Sequence, residues 1–361
     1  MQIGSFNPRE LIDTIRWRRE RLGLFLDGRA TRIVKVKRAG NKYRVTAFTQ
    51  LDLDLMHASS LEKQRFKLAV KQVGEGLTRV AVNAEHPSLR VRRMSFPKMP
   101  EKDILEAIRW NFREHIEGNI ENYIVGYTPL EEVAEDGRSP IIAYGLSSEA
   151  IDDYTKVLKS LGLKPVSLEP AASALLTAFH VNGVLDDGRR HVCVSFGDQM
   201  TLFSVMRGNS VLFCRPLPGI NHEALARLVM RNLNLETEKA RKALDVWGAG
   251  ASDGKPKSPE EEGMQRNLET TIGHFFSQLV IEMQRSIDAF CIMYGVDKVD
   301  AIHVCGNGVN YPGLIDHMGR NLGIETKIFN PFSATMDAQK QTDRVKQIAP
   351  FFAVAVGLAI P

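Results

Sequence analysis

The residues best typed and spaced for chemistry are Gly306-Asn307-Gly308, between the apolar run Ala301 to Cys305 and the helix-opening Pro312-Gly313-Leu314. A strand that stops in such a turn before a helix lets backbone N–H groups approach a phosphate or nucleoside, and the helix N-terminus adds partial positive charge. An ordinary strand-to-helix turn would read the same way. Asp27-Gly28-Arg29-Ala30 and Gly197-Asp198-Gln199 are two further turns that carry glycine beside a charged residue. Other chemistries find less support. His222-Glu223 lacks the second histidine of a zinc-protease helix, and His303 sits in a run that reads as sheet. Cys193, Cys214, Cys291 and Cys305 lie in apolar stretches without a C-x-x-C pair, so they read as buried thiols in a reducing compartment rather than a zinc site.

These turns are positioned by a pattern that occurs twice. Leu22 to Leu26, Thr31 to Lys37 and Tyr43 to Leu51 are three strand-like runs, followed by a helical stretch from Glu62 to Val73 and strands at Thr78 to Ala84 and Ser88 to Met94. His191 to Phe196, Thr201 to Met206 and Val211 to Leu217 repeat the meander, with a helix from about Asn221. The pattern predicts an α/β protein of two duplicated halves that face each other. Between the meanders, residues 96–168 read as an inserted α/β unit. Pro100 opens a helix with Ile104, Ile108 and Phe112 on one side, Tyr123 to Tyr127 and Ile141 to Leu146 are strands joined by an acidic loop, and Ser148 to Leu161 is a second helix. Gly248 to Gly263 predicts a loop, Asn267 to Tyr294 one long buried helix, Leu322 to Phe329 a strand, and Pro350 to Ile360 a closing helix on the first half.

At 361 residues the chain has room for two domains with their own cores, and 43% hydrophobic with 25% charged residues is a globular composition. A net charge of +4 spread along the chain does not point to nucleic acid. No window reaches the run of about 18 apolar residues that a membrane span needs, and no signal-peptide core precedes Leu22, so a cytoplasmic chain is expected. The segment 1–21 reads as a basic amphipathic helix. Asn7, Pro8 and Glu10 form its start signal, Leu11, Ile12 and Ile15 make an apolar face, and Arg9, Arg16, Arg18, Arg19 and Arg21 surround Trp17. Such a helix either touches an anionic membrane surface peripherally or folds back on its own domain.

The order of motifs then resembles a known family. A meander, Phe96-Pro97-x-Met99-Pro100, Gly162-Leu163-Lys164-Pro165, a second meander, Leu217-Pro218-Gly219-x-Asn221, Glu282-x-x-Arg285-Ser286, Cys305-Gly306-Asn307-Gly308, Asn330-Pro331-Phe332 and Val354-Ala355-x-Gly357-Leu358 are together similar to PilM, the actin-like protein of the type IV pilus inner-membrane platform. The resemblance implies an actin-like ATPase (ribonuclease H-like) fold, with 22–95 and 169–190 in the first half, 96–168 inserted, 191–348 as the second half with a smaller subdomain at about 221–266, and 349–361 returning to the first half. It implies ATP or ADP in the cleft, with Gly28, Arg29, Gly197, Asp198, Gly219, Asn221, Gly306, Asn307 and Gly308 as the nucleotide-binding set. It also implies a PilN-like membrane protein whose N-terminal peptide docks on the first half, with Phe96, Pro97, Ile104, Ile108 and Phe112 as its surface. Pilus motor ATPases and further copies of the chain are other candidate partners, at the inner face of the inner membrane.

Actin-like nucleotide sites place an aspartate at the first hairpin of each half to organise magnesium. Set against that motif, the two positions fall at Phe25 and Ser195, so magnesium lacks its carboxylates and efficient hydrolysis is not expected. The reading is a scaffold with a degenerate nucleotide site. An active actin-fold ATPase or small-molecule kinase, and the cytoplasmic part of a type II secretion platform, are the alternatives.

Overall fold

The computed structural model describes residues 17–116, 118–130, 137–217, 219–248 and 258–361, so most of the helix expected over 1–21 lies outside the described residues, and Glu20 and Arg21 at its expected end open a strand instead. Its strands are β1 (Glu20–Asp27), β2 (Ala30–Ala39), β3 (Lys42–Asp52), β4 (Arg79–Asn83), β5 (Arg90–Phe96), β6 (Tyr123–Pro129), β7 (Ser139–Ser147), β8 (Lys164–Glu169), β9 (His191–Phe196), β10 (Thr201–Arg207), β11 (Ser210–Leu217), β12 (Ala301–Gly306) and β13 (Thr326–Ile328). Its helices are α1 (Ser60–Gly74), α2 (Glu101–Phe112), α3 (Ser148–Ser160), α4 (Ala171–Val181), α5 (His222–Leu233), α6 (Thr237–Gly248), α7 (Pro259–Tyr294), α8 (Leu314–Leu322), α9 (Asp343–Ile348) and α10 (Ala353–Leu358).

Two units form, one from 1–184, 331–345 and 352–361, the other from 185–330 and 346–351. In the first, β1 pairs antiparallel with β2 and parallel with β4, giving a sheet ordered β3-β2-β1-β4-β8. The second repeats this strand for strand as β11-β10-β9-β12-β13, with β9 antiparallel to β10 and parallel to β12. The expected duplication is therefore present. Its cause is visible in burial: β9 is buried along its whole length, as is most of β1, as strands covered on both faces must be.

In the first unit, α1 starts at a capping box in which Ser59 and Glu62 satisfy each other's backbone N–H groups, and its Phe66 and Val73 meet Leu22, Leu24 and Val82 of the sheet. The helix α10 packs on β1, β2 and β4, and α4 packs on α10. A Cβ on Gly357 of α10 would stand 1.8 Å from the carbonyl oxygen of Ala174, and one on Gly23 of β1 would stand 2.1 Å from that of Ala355. Backbone thus lies against backbone where these elements cross.

The insertion differs from its expected bounds. β5 pairs with β7, not with β4, so the inserted sheet β5-β7-β6 begins at Arg90. The helix α3 sends Tyr154 and Leu158 into the core of the main sheet, and β8 pairs with β4, so 148–168 belong to the main body. Residues 331–345 likewise belong to the first unit rather than the second. In the second unit α7 starts at Pro259, inside the stretch expected to be loop, and runs 36 residues to Tyr294. Its Ile272, Phe276, Leu279, Met283, Ile287 and Phe290 enter the core against Val192, Val194 and Ile302. Only Thr326–Ile328 of the expected last strand is paired, because α8 extends to Leu322.

Candidate functional site

Ligands of open α/β sheets gather at the carboxyl ends of parallel strands, and each unit places polar groups there. In the second unit, β9 ends at Phe196 and residues 197–200 turn into β10, with the Gly197 N–H donating to the Met200 carbonyl at 3.2 Å. The carbonyls of Gly197 and Asp198 accept from the N–H groups of His222 and Glu223, the first residues of α5, each at 3.1 Å. Asn221 caps α5 by accepting from the Ala224 N–H at 2.7 Å and donates its amide to the Gln199 carbonyl at 2.7 Å. The turn is thereby fixed to the start of a helix. Asn307, just past β12, donates to the Asp198 carboxylate at 2.7 Å, so the structure brings together two residues that stand 109 apart in sequence.

The glycines of this site have a reason within the chain. A Cβ on Gly306, whose φ is +91°, would sit 2.2 Å from the Phe196 carbonyl oxygen, and one on Gly308 would sit 2.3 Å from the Phe196 ring. The turn's glycines therefore make room for Phe196. Behind them, Tyr311 is buried, its hydroxyl bonded to His222 Nδ1 and its ring in contact with Trp247 and Phe276. Burial, with the charges of Asp245 and Asp198, holds the Tyr311 phenol well above its ordinary range. Asn221 has each end of its side-chain amide engaged once within the protein.

In the first unit, Gly28 and Arg29 form the two-residue turn between Asp27 and its cross-strand partner Ala30, with Gly28 at φ +55°. Phe25 and Ser195 are buried strand residues short of their turns, whereas Asp27 and Asp198 stand at or beyond the strand ends. Asp27 is 4% exposed and accepts from the fully buried Arg32 guanidinium at 3.4 Å. Arg32 also donates to Gln50 at 3.1 Å and lies 5.6 Å from the Phe25 ring centre. At the end of β4, the Asn83 amide bridges the N–H and carbonyl of Leu26 at 2.7 and 2.9 Å, tying β4 to β1.

Two carboxyl groups here were missed in the sequence. Glu85 follows β4 and is pushed up to about 8, first by desolvation and then by the charge of Asp27, against a hydrogen bond from Asn83. Glu169 ends β8, accepts from Ser167 at 2.7 Å and is raised by burial. No spacing in the sequence marks them, since acids beside prolines also occur at Pro100-Glu101 and Pro259-Glu260.

These groups do not fit a tightly held divalent cation. Among the described residues no three His, Cys, Asp or Glu side chains converge to hold a metal. The Arg32 guanidinium already supplies positive charge to Asp27, and an amide engages Asp198. The expected partner surface also needs correction. Ile108 and Phe112 are fully buried, packing α2 onto Ile141 and Ala143 of its own sheet, because an amphipathic helix on a three-stranded sheet must spend its apolar stripe there. Phe96 and Ile104 pack at the margin of that core and keep part of their surface exposed, as does Pro97.

Where β9 and β12 begin, His191 is buried, bonded through Nε2 to Asp187 at 2.8 Å and through Nδ1 to His303 Nε2 at 3.0 Å. Burial, then the proximity of His191 and Lys327, lowers His303 to about 4. The folded unit keeps this imidazole neutral while the unfolded chain takes up a proton below about pH 6.5. Stability should therefore fall as pH drops from about 6.5 to 4, by up to about 3 kcal/mol, and His303 should add no further loss below that. Denaturant titrations of wild type and His303→Asn across this window should differ in slope, and parallel curves would remove His303 as the cause.

Two copies of a three-stranded meander with a parallel extension, the first carrying an inserted α/β subdomain, define an actin-like ATPase fold. The chain belongs to the PilM family: the model of the type IV pilus assembly protein PilM matches residues 23–361. A solved structure described as a PilM-PilN type IV pilus biogenesis complex matches with a TM-score of 0.79 at 22% identity, covering 94% of this chain and 97% of that chain. The ethanolamine utilization protein EutJ from Carboxydothermus hydrogenoformans matches at TM-score 0.53 and 11% identity, over 94% of this chain and 89% of that one. Among curated proteins nothing matches.

Proposed function

We propose that this chain is a PilM-like scaffold at the cytoplasmic face of the inner membrane, and that it captures the N-terminal peptide of a PilN-like partner on its first unit. The family match over 23–361 carries this reading, and the likeness in fold to a PilM-PilN complex supports it. Among the described residues no helix is long and apolar enough to cross a membrane, so attachment through a membrane-borne partner is what the reading requires. Extended peptides bind by adding to a sheet edge, and β5 is an edge strand of the inserted sheet that ends at the part-exposed Phe96 and Pro97. A PilN-like N-terminal peptide titrated calorimetrically into the full chain should bind, and Phe96→Asp should weaken it at least about tenfold, the loss of one apolar anchor. Equal binding by a folded Phe96→Asp protein would move the site elsewhere.

The same reading includes a nucleotide, ATP or ADP, in a silent role. Asp27 and Asp198 are engaged by Arg32 and Asn307, which supports a role for them other than holding an ion. ATP turnover should stay far below about 1 per second, an ordinary enzymatic rate. A labelled ATP analogue should bind equally with and without magnesium. Strict magnesium dependence together with turnover lost in Asp198→Ala would favour the active ATPase instead.

A further inference from the structure

The second unit has a cavity of about 630 Å³ between α5 and α7, beside the turn at Gly219. Its floor is apolar: Ile220 and Phe275 are buried, with Ala224 and Leu228 half-buried next to them. Its rim is cationic. Arg227 and Arg231 stand one turn apart on α5, and His274 and Gln278 stand one turn apart on α7, so two pairs of donors line the opening.

The nearby acids, Glu223 paired with Arg227 and Arg241 and Glu282 paired with Arg215 and Arg285, leave the rim with an excess of positive charge. Glu223 is clasped by Arg241 through both oxygens, at 2.8 and 2.7 Å, and stands 3.7 Å from Arg227. Glu282, the carboxylate on the cavity wall, already pairs with Arg215 at 3.2 Å and Arg285 at 2.6 Å. Arg231 forms no ion pair among the described residues. A hydrophobic floor under surplus positive charge selects a ligand that carries both apolar surface and negative charge. An inorganic anion would leave the floor wet, and an uncharged apolar ligand would leave the rim unused.

We propose that this cavity docks an acidic segment of a partner protein, with one apolar side chain on Ile220, Phe275 and Leu228 and flanking carboxylates on Arg227, Arg231 and His274. It is a second docking site, on the unit other than the one proposed for the PilN-like peptide. Charge at an exposed rim sets attraction and choice of partner, and the apolar contact sets residence.

The test uses the full chain and a fluorescein-labelled peptide, Gly-Asp-Glu-Leu-Phe-Glu-Asp-Gly, followed by anisotropy. Saturable binding is expected, weakened at least about tenfold by Arg231→Glu and more by Arg227→Glu with Arg231→Glu, the scale of losing a charge-assisted contact. Both arginines are exposed, so the variants should melt as wild type does and should bind the PilN-like peptide unchanged. A peptide with lysine in place of its four acids should not bind. The proposal is overturned if the acidic peptide fails to bind wild type, if the charge-reversed protein binds it equally, if the lysine peptide binds as well, or if inorganic phosphate alone displaces it completely.

Discussion

Gly357→Ala should destabilise the first unit by about 4 kcal/mol or more, near the top of the range for a single substitution. The added methyl would fall 1.8 Å from the carbonyl oxygen of Ala174 and 2.4 Å from its carbonyl carbon. Those atoms are backbone of α4, so no side chain can swing aside and α10 must lift as a whole. Lifting it uncovers Val354, Ala355 and Leu358, all buried, and the contact of Ala355 with Gly23 on β1. Gly273→Ala is the natural control, since it lies inside α7 with no atom within 4 Å of the new carbon. That change should stabilise by about 1 kcal/mol through helix propensity. Equilibrium denaturation of both proteins checks the opposite signs, and a Gly357→Ala protein as stable as wild type would mean that α10 does not pack in this way.

The same contact shows what the sequence could convey. An Ala- and Val-rich tail announces burial, and its return to the first half was readable from the apolar run at 350–360 together with the resemblance. Gly357 as the point of closest approach was not, because a glycine in a helix carries no label for what lies against it. The duplication was legible because two meanders share period and turn spacing. The insertion's edges were not: Ser88 to Met94 reads as a strand in any sheet, and only pairing with β7 shows which one.

The candidate site divides in the same way. The turns at 27–30, 197–199 and 306–308 were found from their glycines, and the structure does place Asp198 against Asn307. Gly306 and Gly308 have a second reason to be glycine that the sequence does not carry, since a Cβ at either would meet Phe196. Ile108 and Phe112 entered the docking face through the resemblance, and their apolar stripe could not object, since it looks alike whether it meets a partner or its own sheet. Glu85 and Glu169 become visible only when β1, β4 and β8 line up, as parallel strands distant in sequence deliver their ends to one edge.

Asp27→Ala should cost the first unit about 3–5 kcal/mol, the scale for breaking a buried ion pair from one side. Arg32 is fully buried, and its guanidinium cannot shed its proton when the Asp27 carboxylate is removed. Gln50 and the Phe25 ring are two of its neighbours, and neither carries negative charge. Replacing both partners, Asp27→Ala with Arg32→Met, should recover most of the loss, because the long apolar side chain fills the space and leaves no charge to solvate. The coupling between the two changes, read from a double-mutant cycle in denaturant, should therefore be large and favourable. This also separates structure from catalysis. If Asp27 serves Arg32, the double variant regains stability while ATP turnover stays at the background level of wild type. If Asp27 instead served a metal-dependent hydrolysis, wild type would turn over ATP measurably and the refolded double variant would not. A cost below about 1 kcal/mol for Asp27→Ala, the scale of an exposed pair, would mean that Arg32 draws its compensation from elsewhere.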